Sequence, residues 1–208
     1  MLTVNQGKAE NKMAFCKEFG LDPSKPLLSY IGRFATEKGA DILPELIQNL
    51  LKKNSGKLSI FILGSGDSGI QQSIEAITPN YKSDLAVFFG YNEQLAHRVY
   101  AASDLLIMPS RVEPCGLNQL YALKYGTIPV VRKIGGLRDT VKDVEEGGYG
   151  FLFNDVEAEE AAETVKRAIK YLSYADNLTK TRDAAMVLDY SWNKSAKKYI
   201  ELYNQLLK

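Results

Sequence analysis

Residues 109–127, PSRVEPCGLNQLYALKYGT, set a carboxylate, Glu113, just ahead of a turn, Gly116-Leu117, that opens an apolar-periodic helix over 116–125. A helix start offers unpaired N–H groups and the positive end of the dipole, which together make a seat for an anion. A carboxylate at such a place is usually a partner for that dipole. It could equally hold sugar hydroxyls beside a phosphate on the amides of Gly116 and Leu117, and spacing alone leaves both open. A second loop, Gly32-Arg33-Phe34-Ala35-Thr36-Glu37-Lys38-Gly39, puts two cations at the tip of a strand and the start of a helix. Arg33 supplies a planar fork and Lys38 a point charge, a combination suited to a diphosphate. The plain alternative is a solvated loop with a surface ion pair to Glu37. Gly64-Ser65-Gly66 is half of a dinucleotide fingerprint and reads as a tight turn.

Other reactive groups are few. Two cysteines, Cys16 and Cys115, and one histidine, His97, cannot build a Cys/His metal site or a disulfide framework, so no metal and no cofactor is expected. Cys115 adjoins the helix start, which lowers a thiol pKa, but it reads as a lining residue without a chemical step. His97 falls inside a helical pattern and reads as structural. Chemistry here must lean on carboxylates, cations and backbone amides.

These loops need a frame, and the pattern supplies one. Short apolar runs at 26–33, 57–64, 85–90, 104–109, 127–132 and 150–153 alternate with helical periodicity at 38–53, 68–77, 93–102 and 116–125. Strands this apolar, separated by single helices, imply a parallel sheet covered on both faces, a doubly wound, Rossmann-like α/β domain. Ligands of such sheets bind beyond the carboxyl ends of the strands, where the strand order reverses. After residue 155 only helices are expected, at 158–172, 175–188 and 191–207, forming a helical tail over 156–208. In the last, Trp192, Tyr199 and Tyr203 share a stripe expected to pack on the sheet, the alternative being a helix that reaches across to a second domain in a longer parent and leaves the stripe partly exposed here. Residues 1–12 read as a frayed polar leader. The whole chain, 1–208, is expected to be one domain, because 208 residues suit one core better than two.

The balance of 26 basic and 25 acidic side chains leaves no electrostatic footprint for nucleic acid or anionic lipid. Apolar runs such as 105–108 fall far short of the roughly 20 residues that span a bilayer, so neither nucleic acid nor membrane is an expected partner. Without a signal-peptide core the chain reads as cytoplasmic.

The motif at 110–117, followed by Gln119-Leu120-Tyr121, Lys124-Tyr125-Gly126-Thr127, Gly135-Gly136-Leu137 and Asp139-Thr140-Val141, closely resembles the bacterial glycogen synthases and plant starch synthases. Gly32-Arg33, Lys38-Gly39, the run 63–67, Gly90-Tyr91 and Tyr190-Ser191-Trp192 extend the match over nearly the whole chain after the leader. The resemblance implies the C-terminal half of a GT-B glycosyltransferase. Such an enzyme transfers glucose from ADP-glucose or UDP-glucose to the non-reducing end of an α-1,4-glucan with retention, the acceptor being held by an N-terminal domain absent here. A plant-type parent would place it in a plastid.

By that resemblance Glu113, Arg33 and Lys38 serve the reacting centre, Glu113 through the 3- and 4-hydroxyls of the sugar. Gly32, Tyr91, Cys115, Gly116, Leu117, Asn118 and Tyr121 are implied substrate-binding positions, with Tyr91 facing the base; its plain alternative is a half-buried loop tyrosine. Retention is expected by same-face attack, the leaving phosphate taking the acceptor's proton. No Asp-x-Asp pair occurs, so the diphosphate is expected to be neutralised without metal. Tyr121 stands where many retaining GT-B enzymes carry a second glutamate, which fits the glycogen and starch synthase branch better than the sucrose-synthase-like or mannosyltransferase-like groups. A free-standing nucleotide-sugar-binding module is the alternative. A Rossmann-type oxidoreductase would need a full G-x-G-x-x-G after the first strand, which Gly32-Arg33-Phe34 does not provide.

Overall fold

The computed structural model describes residues 3–53 and 57–207. Six strands among them, β1 (Leu27–Phe34), β2 (Ser59–Gly66), β3 (Leu85–Phe89), β4 (Leu105–Met108), β5 (Ile128–Arg132) and β6 (Phe151–Phe153), form one sheet in the order β3-β2-β1-β4-β5-β6. Every strand pair is parallel. The chain runs outward from β1 to β3 and then returns to lay β4 against the other side of β1. The two strands at this reversal, β1 and β4, lead on to helices on opposite faces of the sheet, and a crevice lies at their carboxyl ends.

Period-2 alternation divides the strand side chains between two cores. Leu28, Tyr30, Ile60, Ile62, Leu105, Ile107 and Val130 point to one face, which is covered by α2 (Leu43–Lys53) and α7 (Ala158–Leu172). Ala158, Ala161, Ala162, Val165, Ala168 and Leu172 recur at helical spacing, so α7 lays a continuous small-residue stripe on the sheet. On the other face Leu27, Phe61 and Leu63 meet α1 (Val4–Phe19) and α4 (Glu93–Ala102), while Leu106, Met108 and Val131 meet α5 (Asn118–Lys124) and α6 (Gly135–Thr140). Helix α3 (Ser68–Ile77) links β2 to β3, and α8 (Ala175–Met186) and α9 (Trp192–Leu206) end the chain.

The sequence expectation fails at both ends. From residue 4 onward the expected polar leader is helix α1; Thr3 and Gln6 close a capping box at its start and left-handed Gly20 ends it. Phe15 and Cys16 are buried, Phe15 edge-on to Phe61. Polarity misled because one of its cations is not solvated: Lys8 is buried, and its ammonium donates to the carbonyls of Tyr100, Ala101 and Tyr125 and to the Thr127 hydroxyl at 2.8–3.1 Å. Residues 1 and 2 lie outside the described residues.

At the other end the stripe expected to pack on the sheet is exposed: Trp192 by 87%, Tyr199 by 58% and Tyr203 by 57%. Both faces of the sheet are already covered by other helices, and α9 buries none of its residues. Deleting residues 192–207 is therefore expected to change the unfolding free energy by less than about 1 kcal/mol, measured by urea denaturation. A larger loss would show that α9 contributes to this core.

Two boundaries near the crevice also shift. The helix expected from 38 begins at Leu43, behind 3-10 turns at Thr36–Lys38 and Ala40–Ile42. Gly39 separates these turns at φ +66°, and a Cβ there would lie 1.9 Å from the Pro109 carbonyl oxygen. Close approach of the two loops at the reversal thus requires glycine. The helix expected from 116 begins at Asn118. No described helix is long and apolar enough to cross a membrane.

Candidate functional site

The carboxyl ends of β1 and β4 enclose a cavity of about 360 Å³ whose walls include Gly32, Arg33, Lys38, Glu113, Gly116, Leu117 and Asn118. A second cavity of about 220 Å³ shares Gly32, Arg33 and Asn118 with the first and runs on to Gly64, Ala96 and Tyr91. Eight of the ten expected site residues therefore border one continuous crevice. Two do not. Cys115 is exposed and lines neither cavity. Tyr121 turns to the outer side of α5, where its ring lies 5.9 Å from Tyr100 and 6.3 Å from His97. Distance along the helix separates it from the site, since Asn118 at the start of α5 meets the crevice and Tyr121 lies about one turn further on. His97 bonds the Tyr125 hydroxyl at 3.0 Å, in keeping with a structural role.

Glu113 is buried to 7% exposure, and its carboxylate receives the Lys38 ammonium on both oxygens, at 2.9 and 2.8 Å. The Ser110 hydroxyl donates to the same carboxylate at 3.2 Å. Arg33, across the cavity, pairs with Glu37 at 2.9 Å and is largely exposed, so the ion pair weighed as the plain alternative is present. Asn118 donates its side-chain amide to the Ile31 carbonyl at 2.7 Å, fixing α5 to the tip of β1. Helix α5 has only seven residues and starts after Gly116 and Leu117, so their amides lie in a turn ahead of it. Positive charge at the crevice thus comes from Arg33 and Lys38 more than from a long helix dipole.

The 109–117 loop is tied down from three sides. The backbone N–H groups of Arg111 and Val112 donate to the Glu37 carbonyl at 2.9 and 3.1 Å, joining the two loops of the reversal. The Arg111 guanidinium bonds the Thr36 carbonyl at 2.8 Å and pairs with Asp41. From the tip of β5, Arg132 donates to the Arg111 carbonyl at 3.2 Å. Gly136 donates its N–H to the Glu113 carbonyl at 2.9 Å, and a Cβ on Gly135 would stand 2.3 Å from that same oxygen. Below, the Gln119 amide donates to the carbonyls of Cys115 and Gly116. Sequence reasoning missed Ser110, Gln119 and Arg132. Arg132 carried a usable signal, being a cation at a strand's carboxyl end like Arg33. Beneath the cavity the buried Tyr30 hydroxyl donates to the Arg33 carbonyl at 2.8 Å, and burial pushes its phenol pKa above the ordinary value.

Residues 12–183 match the family model described as Glycosyl transferases group 1. The chain belongs to that family. This group 1 glycosyltransferase chain is 44% identical over 201 residues to a glycogen synthase of Flavobacterium johnsoniae, covering 97% of the chain and 42% of that protein. It is 42% identical to a glycogen synthase of Bacillus cytotoxicus, over 97% of the chain and 42% of that protein. The chain thus spans about 42% of the length of these curated relatives. Among solved structures, the catalytic domain of Starch Synthase IV from Arabidopsis thaliana bound to ADP and acarbose superposes with a TM-score of 0.84 at 33% identity, covering 99% of the chain and 44% of that structure. The resemblance read from 110–117, with the GT-B half-fold it implies, and the doubly wound sheet expected from the strand pattern are both borne out.

Proposed function

We propose that this glycosyltransferase chain is the donor-binding half of a glucan synthase, taking a glucosyl nucleoside diphosphate, ADP-glucose or UDP-glucose, and delivering glucose to an α-1,4-glucan. The observation that carries the reading is the convergence of Arg33, Lys38 and buried Glu113 on one cavity at the reversal of the sheet, in a chain 44% identical to a glycogen synthase. The starch synthase similar to it was solved with ADP and acarbose, which supports a nucleoside diphosphate donor and a saccharide acceptor. Relatives named as synthases weigh against a binding module without transfer activity.

In this reading the diphosphate lies between Arg33 and Lys38, and the hexose sits over Glu113. The base enters the second cavity, whose Ile31, Leu63 and Ala96 walls are apolar and whose rim carries Tyr91, 87% exposed and available to stack on it. As the bond from the anomeric carbon to the leaving oxygen lengthens, negative charge grows on the phosphate. Fixed cations at Arg33 and Lys38 stabilise that charge more in the transition state than in the ground state. Glu113 accepts bonds from sugar hydroxyls and holds the ring in register. This reading assigns Glu113 to the sugar hydroxyls and not to nucleophilic attack, with retention by same-face attack and the leaving phosphate taking the acceptor's proton. A cytoplasmic site goes with this reading, or a plastid for a plant-type parent.

The acceptor site belongs to sequence beyond this chain. The crevice is open on one side, and an activated glucosyl donor there would meet water before a glucan end unless a second domain closed over it. Incubating the pure chain with ADP-glucose and glycogen is accordingly expected to release no ADP above background. Glycogen-dependent ADP release would overturn the half-enzyme reading.

A further inference from the structure

Both cations of the crevice are occupied by carboxylates of the chain itself. Lys38 is held on both oxygens by Glu113, and Arg33 is held by Glu37, so the four groups sum to no net charge. Arg111, in the loop that carries Glu113, is likewise taken by Asp41. A diphosphate entering this site meets two ion pairs that it must exchange.

The two pairs differ in surroundings. Arg33 and Glu37 have side chains 69% and 46% exposed, so water takes over either partner when the pair opens and the exchange is easy. The Glu113 side chain is only 8% exposed and that of Lys38 27%. If Lys38 swings to a phosphate, Glu113 keeps, among the described residues, the 3.2 Å bond from Ser110. A buried carboxylate stripped of its cation is among the costlier changes a protein can undergo, unless new donors satisfy it. Sugar hydroxyls over Glu113 are such donors, and a free nucleoside diphosphate has none to offer there.

We propose that the site distinguishes the sugar-bearing donor from the spent nucleoside diphosphate by ion-pair exchange. The donor draws Lys38 onto its phosphates and replaces it on Glu113 with hexose hydroxyls. Once the hexose has left, Glu113 reclaims Lys38 and loosens the remaining diphosphate. Glu37 is a standing competitor for Arg33 that weakens donor and product alike. This rests on the donor-site reading above and deepens it: the buried pair limits product inhibition, and Glu37 sets overall affinity without choosing between ligands. Simple Coulomb attraction ranks the ligands the other way, because ADP carries more negative charge than ADP-glucose.

The test is calorimetric titration of the wild-type chain, Glu113→Gln and Glu37→Gln with ADP and ADP-glucose, and with UDP and UDP-glucose in parallel. Wild type is expected to bind the sugar-bearing ligand more tightly. Glu113→Gln keeps the side-chain shape without the charge; it should bind the free diphosphate about tenfold more tightly and lose most of the preference. Glu37→Gln, at an exposed position with little risk to folding, should tighten both ligands by roughly two- to fivefold and leave their ratio unchanged. A Glu113→Gln chain of wild-type circular dichroism and melting temperature that binds ADP no more tightly, or keeps the full preference, would overturn the exchange. Unchanged affinities in Glu37→Gln would remove Glu37 from it. Absence of all four ligands from the wild-type chain would instead overturn the donor-site reading, and the exchange with it.

Discussion

Replacing Glu113 by alanine in a protein that carries this chain with its acceptor domain is expected to lower kcat by on the order of 10²-fold or more, without raising the dissociation constant of the nucleoside diphosphate. The carboxylate lies at the floor of the cavity, where the hexose must sit if the diphosphate is on Arg33 and Lys38. Its bonds to the sugar fix the anomeric carbon in line with the leaving oxygen, and a ring free to shift by about 1 Å loses rate of that order. The diphosphate never needs Glu113, whose charge opposes it. Steady-state kinetics beside a binding titration separates the effects. Equal losses in turnover and in nucleotide affinity would place Glu113 in nucleotide binding or in folding instead.

The second large effect concerns stability and lies away from the crevice. Lys8→Met should cost about 2–3 kcal/mol in urea denaturation at pH 9, since it leaves the carbonyls of Tyr100, Ala101 and Tyr125 buried without the Lys8 amine, which at that pH is neutral and shares two N–H groups among them. Those carbonyls end α4 and α5, so one amino group ties α1 to the helix that follows the Glu113 loop. Burial, and next the Arg182 guanidinium, push the Lys8 pKa down to about 7, while Asp104 opposes them. In the unfolded chain a lysine holds its proton to about pH 10.4. Between about 7 and 10.4 the unfolded state therefore binds more protons, and the contribution of Lys8 to stability rises with pH across that window. Below about pH 7 both states are charged and the burial cost is felt in full. The gap between wild type and Lys8→Met should thus be smaller at pH 6 than at pH 9. A gap that is constant, or that narrows as pH rises, would contradict the buried-lysine account.

The strand and helix alternation was legible because each central strand is buried on both faces and reads as an unbroken apolar run, as in Leu105 to Met108. Helix α1 escaped because its sequence is polar and its buried contacts come from one buried lysine, Lys8, and a short aromatic patch, Phe15 and Phe19 against Phe61. The α9 stripe was recognised correctly as a stripe, but periodicity says that a face is apolar and not what covers it. At the site, loop chemistry pointed to Arg33, Lys38 and Glu113 separately. Their pairing could not be read, because Lys38 and Glu113 stand 75 residues apart and meet only through the reversal of strand order between β1 and β4. Tyr121 lines neither cavity for a related reason: a motif names neighbours in sequence, while only the start of α5 reaches the crevice and Tyr121, about one turn further along, meets Tyr100 and His97.

Titrating the chain with ADP, UDP, their glucose conjugates and NAD in one calorimetric series tests the central claim, that the Arg33, Lys38 and Glu113 crevice binds a nucleoside diphosphate for hexosyl transfer. The account predicts saturable one-to-one binding of ADP or UDP, tighter binding of ADP-glucose or UDP-glucose that is weakened at least about tenfold by Lys38→Ala through loss of the cation the donor draws onto its phosphates, and no saturable binding of NAD. Binding of NAD alone, or sugar-donor affinity untouched by Lys38→Ala, would contradict it.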